Sequence, residues 1–161
     1  MADEGLEHPN GWAGYEAVLQ FLEVDGWNPQ PLDGLSAYLC NFRGANGALR
    51  VVAQVVIDRE ILIGYAIMAV NVPEDRRAAV AELVTRANYV LRLGNLEMDL
   101  SDGEVRFRSS LDFEGTNLTM DLIKGVVHAA ASTMDRFVPA VHSVAFEGAE
   151  PRAAFDASFD G

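Results

Sequence analysis

Between Asn71 and Val141 the sequence spells out a helix, a β-hairpin and a second helix. That order points to an α+β architecture in which helices pack on an antiparallel sheet. Pro73 stands in the opening turn of the first helix, with Glu74 and Asp75 at the positive end of the helix dipole. Val80, Leu83, Val84, Ala87 and Leu91 form one apolar stripe, and Gly94 is a C-terminal stop. The second helix runs from Thr119, its expected N-cap, to Phe137, with Ile123, Val126, Val127, Ala130 and Met134 along one face. Pro139 is expected to kink or interrupt it, and Val138, Val141 and Val144 continue an apolar side in a final turn.

The hairpin between these helices can be registered residue by residue. With Asp102-Gly103 as a two-residue turn, Leu100 opposes Val105, Asp99 faces Arg106, Met98 faces Phe107 and Glu97 faces Arg108. Every apolar residue then meets an apolar partner and both acids meet arginines, which assigns Arg106 and Arg108 to sheet pairing rather than to an anion site.

Upstream, Tyr15, Val18, Leu19 and Leu22 fall at helical spacing between Gly11 and Val24. Pro29 and Pro31 then exclude regular helix. Strands are expected at 36–44, 48–57 and 61–70, with Asn46-Gly47 turning the first into the second. The third strand is apolar on both parities: Ile61, Ile63, Tyr65 and Ile67 point one way, and Leu62, Gly64, Ala66, Met68 and Val70 the other. Such a strand is covered on both faces. The expected fold is therefore an antiparallel five-stranded sheet with helices, in the order α-βββ-α-ββ-α. Residues 1–10 are read as a flexible lead-in, 11–147 as one domain, and 148–161 as a tail that forms a short docked helix with Phe155 and Phe159 four residues apart.

Composition excludes more than it proposes. The formal charge of −12, from 24 acidic and 12 basic residues, opposes binding to nucleic acid or to an anionic membrane. No apolar run approaches the roughly 20 residues that a membrane-spanning helix needs, and the polar N-terminus is unlike a signal peptide, so a cytoplasmic protein is expected. The single cysteine, Cys40, excludes an internal disulfide framework and reads as a small buried hydrophobe beside Tyr38 and Phe42. His8, His128 and His142 lack HxxxH or HExxH spacing. An EF-hand loop counted back from Gly103 would need oxygen ligands where Met98 and Leu100 stand. No phosphate-binding glycine loop is present. Catalytic residues, metal ligands and cofactors are accordingly not assigned. Trp12 and Trp27 flank the first helix and are explained by packing as well as by recognition.

The segment VPEDRRAAVAELVTRANYVLRLGNLEMDLSDGEVRFRSSLDF followed by MDRFVPAV resembles the YbjN family, described as bacterial sensory-transduction regulators with a type III secretion chaperone-like fold. Asn88-Tyr89, Gly94, Asp102 to Arg106 and Met134 to Pro139 carry the resemblance. It brings no catalytic residues, and Asn88 and Gly94 read as a helix-end and turn device. Chaperones of that class are small, acidic, dimeric α/β proteins that hold a segment of a secreted client. The resemblance thus implies a protein-binding module, a chaperone-like adaptor or regulator that forms a homodimer and holds a client or regulatory partner. A small-ligand sensor with a pocket between sheet and helices is the alternative. An enzyme is the third reading, with no visible constellation to support it.

The doubly apolar strand locates the expected contact surface. If the helices cover the bulkier set on 61–70, then Leu62, Ala66, Met68 and Val70 need another cover. A second copy, a client segment, or the tail through Phe155 and Phe159 would each supply it.

Overall fold

Strong alternation and the Asn46-Gly47 turn build the centre of the protein. β2 (Ala37–Arg43), β3 (Ala48–Val56) and β4 (Ile61–Met68) form an antiparallel meander in which Cys40 opposes Val51 and Val51 opposes Ala66. β4 then pairs with β6 (Val105–Asp112) rather than with its neighbour in sequence, and β5 (Asn95–Met98) closes the far edge. The computed structural model describes residues 7–159. Residues 1–6 of the expected flexible lead-in lie outside the described residues, whereas Pro9 and Asn10 already belong to α1 (Pro9–Val24).

Among the described residues the sheet has six strands, not five, in the spatial order β1-β2-β3-β4-β6-β5. The additional strand, β1 (Gln30–Pro31), is two residues long and pairs with Leu39 and Tyr38 at the sheet edge. Proline is admissible there because an edge strand leaves one side unpaired. Three longer helices, α1, α2 (Arg77–Val90) and α3 (Met120–Phe146), lie on one face. α3 crosses β3, β4 and β6, with α1 over β3 on one flank and α2 over β5 on the other. A fourth helix, α4 (Pro151–Ala157), extends the expected element order and packs outside this layer on α2 and α3.

Two local expectations need correction. The hairpin register is shifted by two: Met98 opposes Val105, Glu97 opposes Arg106 and Leu96 opposes Phe107. A two-residue type I′ turn would need positive φ at both Asp102 and Gly103, and only Gly103 has it, at 82°. Asp99 instead accepts the Ser101 N–H at 2.8 Å, Asp102 accepts the Glu104 N–H at 2.8 Å, and Leu100 to Gly103 form a longer loop closed by Asp99 N–H to the Glu104 carbonyl at 2.9 Å. A shift of two preserves facing, so Leu96, Met98, Val105 and Phe107 still face the core, whereas Leu100, displaced into the loop, is exposed.

The second correction concerns Pro139, which does not interrupt α3. Lacking an N–H, it leaves the Asp135 carbonyl without its helical donor. Asn46 Nδ2 fills that role at 3.1 Å, while the Asp135 carboxylate accepts the backbone N–H groups of Ala45 and Asn46 at 3.1 and 2.9 Å. The β2–β3 turn is thereby latched to α3.

Candidate functional site

The two faces of β4 are the reverse of the sequence expectation. Leu62 and Ala66 are fully buried, and Met68 nearly so, under the helix layer. The reason is the closeness of α3: a Cβ on Gly64 would stand 3.0 Å from Val126 Cγ1 and 3.3 Å from the Val126 carbonyl oxygen. A helix can approach a strand this closely only over small residues. Glycine and alanine therefore mark the covered face, and Ile61, Ile63, Tyr65 and Ile67 lie half-buried on the other.

That second face carries no helix among the described residues. Along it Tyr65 lies between Val52 on β3 and Arg108 on β6, and Ile67 lies between Arg50 and Arg106. Leu39 extends the apolar row beyond Val52. By register, Arg43, Arg50, Arg106 and Arg108 stand on this face, with carboxylates from Glu97, Asp99, Glu104 and Asp112. Glu97 holds both Arg106, at 2.9 Å, and Arg108, at 2.8 Å, so the expected Asp99–Arg106 pair is replaced by a fork centred on one glutamate. The Arg106 guanidinium also lies over the Tyr65 ring, 4.3 Å from its centroid. Arg50 reaches Glu104 only at 3.7 Å.

The remaining sequence-predicted contact residues do not join this surface. Val70 is exposed in the bend that follows β4. Phe155 and Phe159 lie on the helix side, their rings 5.0 Å apart, with Phe159 edge-on to Phe137 and beneath Arg136. Arg136 also donates to the Ser158 carbonyl at 3.0 and 3.1 Å. The tail is therefore pinned to α3 and is not a lid on the sheet.

Polar clusters elsewhere serve packing. Asp25 accepts from Trp27 Nε1 at 2.8 Å and lies 2.6 Å from His128 Nε2, while Trp27 stacks on Phe42. The His128 and Trp27 hydrogen bonds hold the Asp25 carboxyl below its ordinary value. Asn88 ends α2 by donating to the Leu96 carbonyl at 3.0 Å and accepting the Leu96 N–H at 2.8 Å, as its reading as a helix-end device requires. Cys40 is buried, and that burial pushes its thiol up to about 11. An open groove of about 880 Å3 runs between α3 and α4. Within it Asp135 is committed to the turn amides, Arg136 to Ser158, and His142 to Glu147. Among the described residues no set of three or more His, Cys, Asp or Glu side chains is placed to hold a metal ion, and no helix is long and apolar enough to cross a membrane.

The antiparallel sheet and its one-sided helix layer define an α+β domain. The chain belongs to the YbjN family, whose model, described as "Putative bacterial sensory transduction regulator", matches residues 4–143. The fold is similar to the crystal structure of YbjN from E. coli, described as "a putative transcription regulator", with a TM-score of 0.53 and 15% identity over 89% of this chain and 94% of that one. No curated protein matches the sequence.

Proposed function

We propose that the protein is a non-enzymatic, cytoplasmic regulator that acts by binding another protein across the open face of its sheet. One observation carries this reading: β4 presents Ile61, Ile63, Tyr65 and Ile67 on a face that no helix among the described residues covers. A row of large apolar side chains framed by arginines has the composition of a recognition surface, with apolar and aromatic anchors inside a polar rim. The groove between α3 and α4 supports a small-ligand sensor less well, because its Asp135 and Arg136 hold the β2–β3 turn and the end of α4 in place.

Site-directed photo-crosslinking in the native cell tests the reading. A benzophenone side chain at Tyr65 should give a discrete protein adduct, and one at Glu16, on α1, should not. Adducts of equal yield from both positions, or none from Tyr65, would overturn it.

A further inference from the structure

The shape and charge of the open face narrow the class of occupant, an inference that rests on the protein-binding reading above. The sheet edges favour docking on the face over strand addition. β1 is two residues long and ends in Pro31, and β5 has four residues, so neither edge offers a long hydrogen-bonding template. The apolar row from Ile61 to Ile67 spans roughly 20 Å at about 3.3 Å per residue. A helix of about 13 residues has that length. Laid over this row it would complete a second helix layer on the sheet, one of the stable layered architectures.

Charge is distributed unevenly along the row. Ile67 is flanked in register by Arg50 and Arg106, Tyr65 by Val52 and Arg108, Ile63 by Gln54 and Ser110, and Ile61 by Val56 and Asp112. The Ile67 end therefore has an arginine on each side, Arg106 held by Glu97 at 2.9 Å and Arg50 reaching Glu104 only at 3.7 Å, in a chain whose formal charge is −12. Four arginines stand on this face against four carboxylates, Asp99 included, and Arg50 holds its glutamate only loosely. We infer that the open face takes an amphipathic helix from a partner protein, with apolar residues at i, i+3, i+4 and i+7 seated on β4 and carboxylates beside them over Arg50 and Arg106.

The test uses the full chain and three fluorescein-labelled synthetic helices of roughly four turns with the same leucine stripe. The flanking residues are glutamate in one, glutamine in the second and lysine in the third. Fluorescence anisotropy at physiological salt should show the glutamate peptide binding about fivefold or more tightly than the glutamine peptide. The preference should vanish in the Arg50→Gln/Arg106→Gln double variant, and Ile67→Asp should weaken both peptides, with circular dichroism confirming that each variant folds. Equal binding of the three peptides, no saturable binding of the glutamate peptide, or a preference that survives the double variant overturns the inference. Light scattering separates the competing occupant: a dimer that Ile67→Asp dissociates assigns the face to a second copy of the chain and also overturns it. If Tyr65 crosslinks to a partner in the cell and the double variant crosslinks as well as the parent, the protein-binding reading stands and the acidic helix does not.

Discussion

Gly64→Val makes two arguments predict opposite signs. Considered as a strand residue, valine is preferred over glycine by up to about 1 kcal/mol, because glycine has more backbone freedom to lose and no side chain to pack. Considered in the structure, its first added carbon would already stand 3.0 Å from Val126 Cγ1 and 3.3 Å from the Val126 carbonyl oxygen, and two methyl groups must still find room. Val126 is 6% exposed and belongs to the core, so it cannot swing into solvent. Overpacking of this kind costs roughly 1–3 kcal/mol, which in a domain of this size lowers Tm by roughly 2–12 °C. Val126→Ala should recover part of the loss, giving a coupling of roughly 0.5–3 kcal/mol in a double-mutant cycle followed by urea unfolding and circular dichroism. A Gly64→Val protein as stable as the parent or more stable, or additive behaviour in the cycle, would refute the close approach of α3 to β4.

Two further outcomes follow from the polar clusters. Asp135→Ala removes the acceptor of the Ala45 and Asn46 amides; in this exposed setting it should cost about 1–2 kcal/mol and accelerate hydrogen exchange at both amides, with little change elsewhere. Asp25 has a folded-state pKa below the ordinary 3.8, so its contribution is complete above that value and is lost as the pH falls through the lowered one. Asp25→Asn should therefore destabilise the protein near neutrality and flatten its acid unfolding curve below pH 3.8, as measured by urea titrations across that range.

Much of this fold is legible in the residues. Alternation places β2, β3 and β4 within two residues of their ends, and apolar stripes place α2 and α3 on the sheet. Thr119 caps α3 by accepting the Leu122 N–H at 3.3 Å, as its position predicts. Three features escape for physical reasons. The hairpin register depends on whether Asp99 and Asp102 bond to their own loop, and the alternation of apolar residues is identical for shifts of two. Pro139 reads as a kink or an interruption because the donor that replaces its missing N–H, Asn46, lies 89 residues from Asp135 in sequence. β1 is too short to show a period.

The candidate site was half-readable. That β4 is apolar on both parities is plain from the residues, but bulk does not mark the covered face; Gly64 and Ala66 do. A crossing helix needs small residues beneath it, so large side chains collect on the side where nothing crowds them. The arginines of the open face emerge only once β4 is paired with β3 and β6, because Arg50 and Arg106 flank Ile67 from strands 49 positions apart at the nearest.

The assignment of covered and open faces is the claim on which the functional reading depends, and one pair of neighbouring substitutions tests it. Leu62→Asp places a charge where the side chain is fully buried beneath the helix layer, and Ile63→Asp places one on the half-buried open face. Urea unfolding of the two proteins should show Leu62→Asp losing about 3 kcal/mol or more, up to loss of the folded state, because a buried charge is left without a partner. Ile63→Asp should remain folded and lose about 1–2 kcal/mol. Equal losses, or Ile63→Asp the more damaged of the two, would contradict the assignment.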